Sequence, residues 1–175
     1  VFNTLMLSLL GNVGVAAYGI VANLALVVIA VFTGVAQGAQ PLISRSHGQG
    51  RPDLARRVLG YGLTVCLAMA GVIYILLALF APEVAALFNS EGDPVLAATA
   101  VVGLRLYFLS APLAGVNIMA ATYFAATQQA LPAQLLSLLR GLFLVVPAAL
   151  LLSALWGVCG LWLALPAAEL ATALA

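Results

Sequence analysis

Apolar residues run along this chain in long blocks without strict alternation, broken at a few places by glycine, asparagine, proline or charge. Blocks of that texture predict helices rather than half-exposed strands. The first, Val1 to Leu10, is too short to cross a bilayer and closes at the turn signal Gly11-Asn12-Val13-Gly14. It reads as the second half of a helix, so the sequence is expected to be a piece of a longer polypeptide. The next block, about Val15 to Ser44, exceeds a perpendicular crossing and predicts a tilt, a bend or an extension past the membrane surface. A third covers roughly Val58 to Ala81. After a polar stretch with Glu83, Glu91 and Asp93, a fourth runs from about Val95 to Ala126. Pro112 and Gly115 interrupt it, and a kink is expected there because proline removes one helical hydrogen bond and crowds the preceding turn. The fifth, about Ala133 to Leu155, contains Pro147, and the sixth, from about Gly157 to the end, contains Pro166.

Composition turns these blocks into membrane spans. Of 175 residues, 65% are hydrophobic and only 6% charged, and the mean hydropathy is +1.21, far from the balance of soluble domains. A bilayer core of about 30 Å needs a helix of roughly 20 apolar residues, and only helices or closed barrels satisfy their backbone in lipid. The fold class expected is therefore all-α, a polytopic bundle of about five and a half transmembrane helices. A net charge of +1 gives no electrostatic footprint for nucleic acid. Cys66 and Cys159 share no metal-ligand spacing and read as small apolar residues, so no metal is assigned.

Arginine placement sets the expected topology, since cytoplasmic loops carry an excess of basic residues. Arg45, Arg51, Arg56 and Arg57 cluster after the second span, which places the loop 45–57 in the cytoplasm. The following loop carries only acids and is expected outside. Thr127 to Gln134 precedes Arg140 and is expected inside, and strict alternation then leaves the C-terminus cytoplasmic as well.

Polar residues within the spans carry the candidate chemistry. Thr33, Gln37, Gln40 and Ser44 are spaced 4, 3 and 4 apart, which puts them on one narrow helical stripe at about 100° per residue. Asn23 lies at its edge, and Ala30, Gly34 and Gly38 form a small-residue row beside it that admits a close helix. Such amides either bond to neighbouring helices or line an aqueous cavity, and as a set they point to the cavity. Ser110, Asn117 and Gln128 repeat the idea in the fourth span if the helix continues through Pro112. In the sixth span Trp162, Pro166 and Glu169 share a face, and Glu169 is the one carboxylate in the hydrocarbon zone. A charge there is costly, so Glu169 is expected either to pair or to hold a proton. It is a proton or cation site candidate, against a plainer role in which an arginine or Thr172 fixes it for packing. Arg105 and Arg140 are expected to snorkel or to bond carbonyls freed by the prolines.

Catalytic signatures are missing: no zinc-binding His/Glu pair, no Gly-flanked serine elbow, no pair of intramembrane aspartates. An enzyme is not expected. Ser46-His47-Gly48-Gln49-Gly50-Arg51 lacks the lysine and strand context of a phosphate loop and is expected to be a turn. Three segments, however, carry a family likeness: "GNVGVAAYGIVANLALVVIAVFTGVAQGAQPLISRSHGQG", "LRLYFLSAPLAGVNIMAATYFAATQQ" and "LLRGLFLVVPAALLLSALWGVCGLWLALPAAELAT". In order and spacing the chain resembles the second half of a multidrug and toxic compound extrusion (MATE) transporter, and it looks closer to the DinF-like bacterial branch than to the branch with carboxylates in this lobe.

That resemblance implies twelve helices in two six-helix lobes related by an axis along the membrane normal. Residues 1–175 then form the C-terminal lobe with its first helix truncated and the N-terminal lobe of the same polypeptide absent. It implies a secondary active carrier in the bacterial inner (plasma) membrane, exporting small amphipathic or cationic organic compounds by alternating access. The coupling ion is H+ or Na+, and no other cofactor is expected. Asn23, Thr33, Gln37, Gln40, Ser110 and Asn117 become the substrate cavity candidates. One branch of the family carries cation-site carboxylates in the first and fourth helices of this lobe. Here the fourth has none, which leaves Glu169 as a secondary candidate beside a coupling acid elsewhere. The alternatives are a flippase of a lipid-linked saccharide or phospholipid in the same superfamily, and a membrane scaffold that moves nothing.

Overall fold

The computed structural model describes residues 1–90 and 92–175, all helical apart from short connections. Glu91, one of the three acids of the polar loop, lies outside the described residues. The first helix, α1, spans Phe2–Gly48, a run that would measure about 70 Å if straight. It is not straight. Gly11 adopts φ 64° and ψ −150°, a backbone state that glycine reaches without steric penalty. The rings of Phe2 and Tyr18 consequently stack with centroids 5.4 Å apart, whereas a straight helix would separate these positions by about 24 Å. The chain therefore reverses at Gly11 and forms a helical hairpin.

The last helix, α7, Val145–Leu174, repeats the device at Gly157, with φ 57° and ψ −131°. Three residues after each reversal sits a second glycine that lets the two arms touch. A Cβ on Gly14 would lie 2.8 Å from the carbonyl oxygen of Met6, and one on Gly160 would run into the carbonyl oxygen of Leu152, in both cases eight positions upstream. The sequence-based boundaries at Gly11 and near Gly157 are thus real turns, and the two continuous helices hold four of the expected membrane segments.

Between them lie α2 (Pro52–Leu79), α3 (Ala81–Phe88), α4 (Pro94–Tyr107), α5 (Ala111–Ala126) and α6 (Ala130–Leu138). The turn joining α1 to α2 is shorter than the sequence implies. Helix α1 continues to Gly48, so Ser46 and His47 are helical, and only Gln49 to Arg51 connects the two. Helix α3 was expected as part of a polar stretch. Pro82 stands in its first turn, where the missing N–H costs nothing, and Ala81 and Ala85 are buried. Asp93 caps α4, its Oδ1 accepting from Val95 N at 2.8 Å. The fourth expected span ends where expected, at Ala126, so Gln128, which was placed on its face, lies beyond the helix, exposed and with φ 63°.

Three prolines each leave a carbonyl four residues upstream without its helical donor. Pro112 cannot donate to the Phe108 carbonyl, and Phe108–Ser110 tightens into a 3-10 turn. Pro147 cannot donate to Phe143, and Leu139–Phe143 widens into a π turn closed by Leu144 N–H to the Leu139 carbonyl at 3.0 Å. Pro82 frees the carbonyl of Ala78, which accepts from Arg105 Nε at 3.3 Å. Arg105 thus takes the capping role expected of it.

The core runs through the middle of the bundle, where Phe32, Leu104, Met119, Leu161 and Trp162 are fully buried. Cys66 is buried and Cys159 exposed, both as free thiols. Large apolar side chains such as Leu26, Val27, Tyr61, Leu79 and Leu151 stand exposed around the outside, as lipid-facing residues must.

Candidate functional site

The turns ahead of Pro112 and Pro147 converge on one cavity of about 340 Å3. Tyr107 comes from the end of α4, Phe108 and Ser110 from the 3-10 turn, Arg140 and Gly141 from the π turn, and Leu165 and Glu169 from the helix around Pro166. Ala25, Val28 and Ile29 of α1 and Ala114 and Asn117 of α5 close it with mostly apolar surface. A largely apolar cleft with a few convergent polar groups is the usual form of a small-molecule site.

Its polar end is a bonded cluster. Glu169 is 1% exposed, and both of its carboxylate oxygens are engaged. Arg140 Nε donates to Oε1 at 2.6 Å, and Asn117 Nδ2 donates to Oε2 at 2.7 Å and to the Glu169 backbone carbonyl at 2.9 Å. A buried carboxylate needs such partners, because desolvation without them costs more than the fold can offset. Thr172, the other partner anticipated for Glu169, instead donates to the Ala168 carbonyl at 2.8 Å. Arg140 is only partly covered, its side chain 24% exposed.

Behind the cluster lies an aromatic group. Trp162 packs against Tyr18 and Tyr107, with ring centroids 6.3 and 6.5 Å away. Its Nε1 is the one buried side-chain polar atom without a hydrogen-bond partner among the described residues.

Among the sequence candidates, Ser110, Asn117 and Glu169 come together at this cavity. The α1 candidates do not join them. Asn23, Gln37 and Gln40 are exposed and Thr33 is half-buried, and none of the four lines the cavity. They share instead an open face of α1 with Ala30, Gly34, Gly38 and Ser44. Asn117 thus lies in the cavity wall, and Gln37 and Gln40 lie on the open face of α1. Sequence reasoning missed Tyr107 altogether; it anticipated an arginine beside Glu169 without naming which, and the structure supplies Arg140. The available signal was that an intramembrane acid and an intramembrane arginine occur on neighbouring spans, each needing a partner.

A sequence model of the MatE family matches residues 1–151. The chain belongs to the MatE family. Over 169 residues it is 32% identical to a protein of Shewanella oneidensis named FAD transporter, covering 94% of the chain and 36% of that relative. Its fold matches an outward-facing multidrug resistance MATE transporter of the MOP superfamily with a TM-score of 0.92, at 19% identity over 99% of the chain. An inward-facing MATE structure matches with a TM-score of 0.92 at 20% identity, again over 99% of the chain. A Pyrococcus furiosus MOP transporter, described as having a binding pocket of reversed polarity, matches with a TM-score of 0.90 at 19% identity over 99%. The chain spans only 36% of the Shewanella relative and 39–40% of these structures. MatE proteins are transporters, and this one is a multi-pass membrane protein.

Proposed function

We propose that this chain is the C-terminal lobe of a cation-coupled exporter of small amphipathic organic compounds, working by alternating access in the plasma membrane with the 45–57 loop and the C-terminus in the cytoplasm. The observation that carries the reading is the buried carboxylate of Glu169 in the wall of a cavity, within a membrane-spanning segment. A proton reaching Glu169 from the cavity dissolves its ion pair with Arg140, so the charge of the cavity wall changes by one unit. Proton movement and the affinity of the cavity are thereby linked. Sodium coupling is the other form of the same cycle, with the main coupling acid in the other lobe. The equal match of one lobe fold to an outward-facing and an inward-facing structure supports a rocking motion in which the lobe moves as a unit. The exposed face of α1, with Gln37, Gln40 and its row of small residues, is the surface turned toward the partner lobe.

The test is transport by the full-length protein in proteoliposomes with Glu169→Gln. Efflux of an amphipathic dye is expected to fall or to shift its pH dependence while the protein stays inserted. Efflux unchanged at every pH would assign Glu169 to packing alone.

A further inference from the structure

The contacts around Arg140 leave most of its hydrogen-bonding capacity unused. A guanidinium carries five N–H donors in a planar fork and normally grips a carboxylate with two of them. Here it uses one. Asn117 occupies the second oxygen of Glu169, so the ion pair is held through Nε alone, and no other hydrogen bond from the Arg140 side chain occurs among the described residues. The terminal nitrogens are not buried either, since Trp162 Nε1 is the only buried side-chain atom there without a partner. Arg140 lines the cavity, and its side chain keeps 24% of its surface exposed.

Accepting the carrier reading above, on which this rests, we infer that Arg140 is the recognition group for an anionic moiety, a phosphate or carboxylate, on an amphipathic substrate. Glu169 and Asn117 act as positioning residues. They fix the guanidinium by its Nε edge and, with both carboxylate oxygens occupied, leave the Nη edge to receive two anionic oxygens side by side. The wide π turn at Leu139–Phe143 is what carries Arg140 at this spot, while the Ser110 hydroxyl in the lining already donates to the Tyr107 carbonyl at 2.6 Å. Tyr107 and Phe108, packed edge to face with centroids 5.5 Å apart, supply aromatic surface for the apolar part of the ligand. The cavity accommodates a ring or a phosphorylated group, with the remainder of a larger compound extending out of it. The same anionic chemistry is offered by a soluble phosphorylated compound and by a lipid headgroup.

Flavins separate these cases, because FMN and riboflavin share one ring system and differ by a phosphate. Binding to the detergent-solubilised full-length transporter is followed by flavin fluorescence for this pair, and by titration calorimetry for a second arm, short-chain phosphatidylglycerol against the matching diacylglycerol. The phosphorylated member is expected to bind at least about tenfold more tightly. Preference for FMN assigns the anion to a soluble substrate, and preference in the lipid arm alone assigns it to a headgroup. The Arg140→Gln/Glu169→Gln variant, which leaves no unpaired buried charge, is expected to abolish the preference, and Arg140→Lys to retain part of it. Equal binding by the wild type in both arms, or a preference that survives in the double variant, overturns the inference. Should the double variant fail to fold, the wild-type comparison and Arg140→Lys decide. Efflux of a cationic dye by a protein showing no phosphate preference would remove this inference and leave the carrier reading standing.

Discussion

Two sets of polar side chains occupy membrane-spanning segments here, and the fold treats them in opposite ways. Gln37 and Gln40 stand on an exposed face of α1, whereas Asn117, Arg140 and Glu169 satisfy one another across three helices. Local periodicity reveals the first set, because a stripe belongs to one helix. The second exists only after folding, since its members lie 52 and 29 positions from Glu169. Lipid cannot solvate either group. The open stripe thus needs water or a partner surface, while the buried carboxylate and amide of the cluster already have their partners within these residues, and removing one should be felt as lost stability.

That contrast is best broken at Arg140. Arg140→Ala leaves Glu169 buried without its counter-charge and is expected to destabilise the protein by about 3–5 kcal/mol, measured by thermal unfolding in detergent. Adding Glu169→Gln should recover much of the loss, and a double-mutant cycle without coupling would show that the pair contributes nothing. Asn117→Leu removes two buried hydrogen bonds and should cost about 1–3 kcal/mol in the same assay. At the other region, Gln37→Leu and Gln40→Leu are expected to stay within about 0.5 kcal/mol of the parent and to act on transport instead. Thiol labelling sharpens the contrast further. With Cys66 and Cys159 replaced, Gln37→Cys should react with a membrane-impermeant reagent in at least one transport state and Asn117→Cys far more slowly. Equal protection of both would count against the carrier reading.

Much of the architecture was legible in the sequence, because hydrocarbon imposes a length rule and glycine marks reversals. The turn at Gly11, the break near Gly157 and the disturbance at Pro112 could all be read in advance. What proline does to the winding could not. Pro112 is preceded by a tight turn and Pro147 by a wide one, and neighbouring packing makes that choice rather than the residue itself. Helix α3 was missed because Pro82 looks like a breaker until its place in a first turn is known. Gln128 was assigned to a helix that ends two residues before it, at Ala126. Of the candidate site, Ser110, Asn117 and Glu169 were legible as polar residues in apolar surroundings. Tyr107 was not, since an aromatic ring in a span looks the same whether it faces lipid, core or cavity.

The reversals at Gly11 and Gly157 join their helices without any linker, and Gly14 and Gly160 bring the two arms into backbone contact immediately beyond. Such elbows have no slack to pay out, so an arm cannot slide or tilt without dragging its mate. Inserted tags and protease sites belong in the Gln49–Arg51 or Thr127–Gln129 connections, while a single residue added at either elbow would pry apart a pair of helices that otherwise travels as one rod.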